Sequence, residues 1–241
     1  DFLLYIKNDR NNFFIIGAGS NLLISENIEN RIFIKLGKNF NKILVQLSGG
    51  INSALMAYSL AQYKSKCRQE LSITPVTMLV NDAPFDVHYA KHIIEWVEHK
   101  ADIKFEKLQA TVSNRINYKQ ALDTFTKGIY KHQGADAHFI GLGTNDYQFD
   151  HFKQNKSTSV FYPLVKLDKS NVAEFFNTYE LKNLYDVTTS CNNRTSEQNH
   201  HCGNCSKCKE RLEYFEYLEP EDNIGRYIDL PRGLARDWSD A

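Results

Sequence analysis

The sequence predicts an α/β fold: a parallel sheet with helices on both faces, closed by a cysteine-rich C-terminal segment. Three observations predict it. Apolar strand-like runs alternate with helical patterns, a Ser-Gly-Gly turn joins the first clear run to the first helix, and four of the five cysteines crowd into residues 191–208. Strand, helix, strand in repetition implies parallel pairing, because parallel neighbours need a crossover and a helix is its usual form.

In chain order, the strand expectations are "KILVQLSG" (42–49), "ITPVTMLV" (73–80), "IKFEKLQ" (103–109), "AHFIGLG" (137–143) and "SVFYPLV" (159–165). Each is a short apolar run between turn or charged residues, the form of a strand buried on both faces. Helical patterns fill the gaps at 52–66, 86–100, 118–133 and 171–180. In the second, Val87, Ala90, Ile94, Val97 and Ala101 recur at helical spacing and predict one apolar stripe opposite a charged face.

At 241 residues and 42% hydrophobic, the chain supports one main domain with an appendage. Lys+Arg and Asp+Glu both number 29, so bulk charge gives no reason to expect nucleic acid as a partner. No apolar run reaches the roughly 18 residues of a membrane span, and no signal-peptide plan opens the chain, so no membrane association and a cytoplasmic location are expected.

Ser48-Gly49-Gly50 follows a strand and precedes a helix. Ligands of parallel sheets bind where strand carboxyl ends meet helix N-termini. Two glycines let backbone approach a phosphate, and free amides at the helix start favour an anion. The Gly-Lys-Ser/Thr ending of a Walker loop is missing, and the plain alternative is a strand-to-helix turn in which glycine relieves strain.

The second signal is Cys191, then ten residues, then Cys202, Cys205 and Cys208 at two-residue gaps. Such gaps let successive thiolates face one ion, and the longer gap returns the chain with a fourth. Structural Zn²⁺ is the favoured reading, an iron–sulfur cluster the rival, and unpaired buried thiols the plain alternative. His200 and His201 read as loop residues and Cys67 as a free thiol at a polar helix end.

"SGGINSA" resembles the Ser-Gly-Gly-x-Asp-Ser signature of the PP-loop ATP pyrophosphatases, which adenylate a substrate and release pyrophosphate. Ser48, Gly49, Gly50 and Ser53 match. Asn52 stands where the family has an aspartate linked to Mg²⁺, and its neutral oxygen holds Mg²⁺ less strongly. Asp146 and Asp82 are candidates for compensation, with a helix or turn cap as the plain reading of either.

Loop and cysteines together resemble 7-cyano-7-deazaguanine synthase, through "TTSCNNRTSEQNHHCGNCSKCKERLEYF", "GADAHFIGLGTNDY" and "YPLVKLDKSNVAEF". The resemblance runs from about residue 42 to the C-terminus. It implies a Rossmann-like, adenine nucleotide α-hydrolase-like sheet, with ATP, Mg²⁺ and Zn²⁺ as cofactors. It also implies a ligase that converts 7-carboxy-7-deazaguanine and ammonia to the nitrile. On it, Ser48, Gly49, Gly50, Asn52 and Ser53 bind ATP, and Cys191, Cys202, Cys205 and Cys208 hold Zn²⁺. Asp146, beside Tyr147, and Lys169 are placed in catalysis; Lys169 reads alternatively as a solvated helix-start residue. Two stretches depart from the family: "QFDHFKQ" after the Asp-Tyr pair, and "SNRINYKQAL", which lacks its Arg-Asn motif. They leave open another base or a tRNA as substrate, and Asn52 leaves open a non-catalytic nucleotide binder. A homodimer is compatible with all of these.

Three regions are expected: residues 1–43, an ATP-binding domain over 44–185 and a zinc-binding region over 186–241. "FFIIGAGSNLLISENIENRIFIKLG" resembles the start of the flavin domain of UDP-N-acetylenolpyruvoylglucosamine reductase, with Gly17, Gly19, Ser20 and Asn21 on its pyrophosphate loop. About 40 residues cannot enclose FAD, so none is expected. The absent initial Met and the abrupt change at "KNFNKILVQLSGG" favour a fragment over a fusion.

Overall fold

In a computed structural model of the protein, the described residues are 15–16, 34–35, 40–80, 86–113, 124, 128, 134–143, 160–164, 167–191 and 205–215. Strands β1 (Ile15–Ile16) and β2 (Ile34–Lys35) pair in parallel in a small sheet of their own. The main sheet contains β3 (Lys42–Gln46), β4 (Ser72–Val80), β5 (Gln109–Ser113), β6 (Ala137–Ile140) and β7 (Val160–Phe161). Its five strands run in the order β5-β4-β3-β6-β7 and all pair in parallel. The predicted α/β class is the observed one.

The chain works outward from β3 to β5, then returns to the other side of β3 for β6 and β7. That reversal opens a crevice between the carboxyl ends of β3 and β6, where adjacent loops leave in opposite directions. β3 sits centrally because it can be buried on both faces. Ile43 and Val45 join the main core, while Leu44 forms a second cluster with Val76, packed by Ala135.

The helices are α1 (Ile51–Cys67), α2 (Asp86–Ala101), α3 (Lys169–Thr178), α4 (Lys182–Asp186) and α5 (Ser206–Phe215). Every residue of α1 from Ile51 to Ala61 is buried, as expected of a helix enclosed on all sides. α2 packs on α1 and β4 through Tyr89, Ala90, Ile93, Val97 and Ala101. Val87 and Ile94 are only half-buried. The stripe is therefore rotated from the expected one, towards the larger apolar surface that Tyr89 and Ile93 offer.

The strand expected at 103–109 lies elsewhere: β5 begins at Gln109 and its ladder is carried by β-branched Thr111 and Val112. Residues 103–108 form a connection tied to Glu98, whose carboxylate accepts from Phe105 N–H (2.9 Å) and Lys104 Nζ (2.7 Å). β7 is limited to Val160–Phe161, two residues before Pro163, which has no N–H for a ladder. The helix expected at 118–133 lies outside the described residues except for Thr124 and Gly128, both helical. No helix among the described residues is long and apolar enough to cross a membrane.

Candidate functional site

After β3 the chain turns at Ser48-Gly49-Gly50 and enters α1, which has no side-chain cap and no acidic residue in its first turn. The first helical bond runs from Ala54 N–H to Gly50 O (3.0 Å), so the amides of Ile51, Asn52 and Ser53 precede the helical ladder. The turn is held from within. Ser53 Oγ donates to Gly50 O (2.9 Å) and accepts from Ser48 N–H (3.3 Å). The Ser48 and Ser53 hydroxyls lie 3.3 Å apart, and Gly50 N–H reaches Ser48 Oγ at 3.4 Å. These long, adjustable contacts place two hydroxyls and a set of amides around one point, a donor set suited to phosphate oxygens.

Glycine is required at two positions here. Gly49 has φ +77°, and a Cβ on it would lie 2.8 Å from Tyr89 Cβ. A Cβ on Gly141, after β6, would lie 2.5 Å from the Asn52 carbonyl oxygen and 2.9 Å from Ser53 Cα. The bare backbone at 141 thus lets β6 approach the first turn of α1.

Lys169 enters from α3. Asp168 is its N-cap: Asp168 Oδ1 accepts from Asn171 N–H (2.9 Å), and Asp168 N–H donates to Asn171 Oδ1 (3.2 Å). This reciprocal capping box fixes the first helical residue. The Ser170 hydroxyl, 2.6 Å from Asp168 Oδ1, and the Asn171 amide hold the carboxyl below the usual carboxylate range. Lys169, so placed, donates through Nζ to Asn52 Oδ1 at 3.1 Å, across 117 residues of sequence. The structure thereby brings together Ser48, Gly50, Asn52, Ser53 and Lys169 on one cavity of about 370 Å³.

The thiol groups of Cys191, Cys205 and Cys208 lie within 4.8 Å of one another, Cys191 and Cys208 buried. Tetrahedral tetrathiolate zinc, with bonds of ~2.3 Å, sets its sulfurs about 3.8 Å apart, so the cluster fits a metal after small rotations. Cys208 N–H points to Cys205 Sγ at 3.4 Å, a contact that favours a thiolate. Cys67 is an exposed free thiol at the end of α1, and partial burial pushes its pKa up. Cys202, Asp82, Asp146, Tyr147, His200 and His201 lie outside the described residues.

The Ser-Gly-Gly turn and the thiol cluster are joined by one stretch of chain. Thr189 N–H donates to Gly49 O (2.8 Å), two residues before Cys191. Arg211, 2% exposed, donates to Thr188 Oγ1 and to Tyr185 O, both at 3.0 Å, and its guanidinium lies 3.7 Å from the centre of the Tyr185 ring. Sequence reading missed Gly141, Thr189, Lys207 and Arg211. A signal was present for Arg211, which shares the spacing of Cys208 and Phe215 on one helix face and is buried with them.

A family model described as queuosine biosynthesis protein QueC matches residues 134–219, from before β6 to beyond α5. That stretch contains Gly141, Lys169 and the cysteines; the Ser-Gly-Gly turn precedes it. No curated protein matches the chain. Among solved structures, the U34-tRNA thiolase NcsA from Methanococcus maripaludis with its [4Fe-4S] cluster is similar at 15% identity. That match covers 78% of this chain and 76% of the thiolase, with a TM-score of 0.48.

Proposed function

We propose that the protein is an ATP-dependent ligase of the PP-loop kind, adenylating 7-carboxy-7-deazaguanine and converting it with ammonia to 7-cyano-7-deazaguanine. The observation that carries the reading is the juxtaposition of the Ser48–Ser53 turn with Lys169, at the reversal point of a parallel sheet. The QueC match over the adjoining residues supports it.

In this reading the α1 amides and the Ser48 and Ser53 hydroxyls hold the pyrophosphate portion of ATP. A substrate carboxylate oxygen attacks the α-phosphorus, the bond to the bridging oxygen breaks, and pyrophosphate leaves with the electron pair. Ammonia then attacks the acyl carbon, AMP departs and a proton is lost, giving the amide. Adenylation of the amide oxygen by a second ATP, followed by loss of AMP and protons, leaves the nitrile. Lys169 stabilises negative charge on the departing phosphate oxygens, where a fixed cation contributes most. Asp146, outside the described residues, is proposed as a substrate or metal ligand.

The described cavity residues do not make a Mg²⁺ site. Their one carboxylate, Glu210, is 3.2 Å from Lys207 Nζ, and Asn52 Oδ1 accepts from the Lys169 ammonium. No step is assigned to Mg²⁺. The thiols do fit zinc, which when bound would supply a fixed structural centre for Cys191, Cys205 and Cys208, with Cys202 as the fourth ligand. The Asn52–Lys169 contact also favours a second reading, a nucleotide binder without turnover.

Purified protein incubated with ATP, ammonia and 7-carboxy-7-deazaguanine should release AMP and pyrophosphate and yield the nitrile by mass spectrometry. Metal-loaded protein that binds ATP yet produces neither would remove this substrate and leave an enzyme for another base or a tRNA, or a binder without turnover.

A further inference from the structure

The peptide unit between Gly49 and Gly50 has glycine at both ends, with φ +77° at Gly49 and φ −86° at Gly50. Turning this unit over changes ψ of Gly49 and φ of Gly50 and carries Gly50 to positive φ, which glycine accepts and other residues resist. Both orientations are therefore open to the backbone, and they present opposite groups to the cavity that Ser48 and Gly50 line. In a trans peptide the C=O and the following N–H point opposite ways. Gly49 O accepts from Thr189 N–H at 2.8 Å, so Gly50 N–H faces the other way, towards Ser48 Oγ at 3.4 Å. Turned over, the unit would offer an anion a carbonyl oxygen instead of a donor. Thr189 is 2% exposed and lies against both glycines: a Cβ on Gly49 would be 3.4 Å from Thr189 Cγ2, and one on Gly50 3.6 Å from Thr189 O. Its neighbour Thr188 is held in turn, by a bond from its N–H to Tyr185 O (3.0 Å) and by Arg211, which donates to Thr188 Oγ1 (3.0 Å).

Resting on the phosphate-turn reading above, we propose that Thr189 is a positioning residue of this site: its backbone N–H, held in place by the Arg211–Thr188 contact, selects the orientation of the Gly49–Gly50 peptide that offers Gly50 N–H to a phosphate oxygen. The ligand class is a polyphosphate or its pyrophosphate product, which the amides at the start of α1 and the two hydroxyls suit. The Thr189 hydroxyl is buried with no hydrogen-bond partner among the described residues, so the hold on the turn runs through the backbone N–H.

Gly-Gly occurs once in the sequence, so a chain carrying glycine labelled at carbonyl carbon and nitrogen gives a single amide resonance coupled to a glycine carbonyl, that of Gly50. The test follows this resonance, together with calorimetry, as the full chain is titrated with inorganic pyrophosphate and with ATP. Pyrophosphate should shift it in wild type. Thr189→Pro, which removes the N–H, should displace it in the free protein and weaken pyrophosphate binding about fivefold, the effect of one neutral hydrogen bond. Thr189→Val keeps the N–H and the side-chain shape and should recover both the resonance and the affinity. Where Thr189→Pro does not fold by circular dichroism, Thr188→Val removes the Arg211 acceptor one residue away and should displace the resonance and weaken binding about twofold to fivefold. Wild-type affinity with an undisplaced Gly50 resonance in the folded variant would overturn the proposal while leaving the phosphate turn in place. So would an equal loss in Thr189→Val, which would assign the effect to the hydroxyl. Wild type that binds neither pyrophosphate nor ATP would remove the phosphate-turn reading and this proposal with it.

Discussion

At the scale of single residues, the contact between Asn52 and Lys169 is the most consequential. The neutral amide oxygen of Asn52, 3.1 Å from the Lys169 ammonium, offsets less of its charge than an aspartate carboxylate at the same place would. Asn52→Asp should therefore increase Mg²⁺-dependent AMP release and weaken Mg²⁺-free pyrophosphate binding. Unchanged rates with and without Mg²⁺ would show that the missing charge limits nothing. Gly141 is constrained more tightly, because the three atoms nearest its hypothetical Cβ are backbone atoms of Asn52 and Ser53, which cannot rotate aside. Gly141→Ala should cost about 2–3 kcal/mol, measured by urea unfolding, through forced separation of β6 from α1. The Ser-Gly-Gly turn and the cysteine spacing were legible in the sequence because their chemistry is local. Gly141 was not, since its partner lies far away in the chain.

At the scale of elements, α3 shows how a surface motif positions a buried-site group. Its capping box fixes the turn on which Lys169 stands, so Asp168→Ala should lose about 1 kcal/mol of stability. It should also weaken ATP binding while leaving metal content unchanged. Equal affinity would show that Lys169 is positioned by its other neighbours. The same helix ends with Glu180 at φ +53° and Leu181 N–H bonded to Phe176 O (2.8 Å), a left-handed closure without the usual glycine. That substitution hides the helix end from a reading based on glycine. α5 was hidden differently: its polar sequence reads as a metal-binding loop, but Phe215 packs against Phe176 and Tyr185 in the main core.

At the scale of the molecule, the buried sheet contains a titratable group that the fold keeps neutral. His138 is on β6, 1% exposed, with Nε2 lacking a hydrogen-bond partner among the described residues. Burial lowers its pKa from 6.5 to about 4. The unfolded chain takes up a proton near 6.5 that the folded chain accepts only near 4, so this contribution is complete above 6.5 and lost as pH falls towards 4. Melting temperature should fall across that window, and His138→Gln should flatten the dependence. A profile identical in wild type and variant would place the acid sensitivity elsewhere.

The sequence by itself determined the α/β class, the Ser-Gly-Gly turn between strand and helix, and the thiol spacing, because apolar periodicity, paired glycines and two-residue cysteine gaps act over a few residues. Only the tertiary structure decided that β3 is central, that Lys169 meets Asn52, and that the cysteine-bearing helix borders the cavity beside the Ser-Gly-Gly turn. Those arrangements depend on strand order and on packing between segments over a hundred residues apart, where burial of shared surface, not local preference, selects the partner.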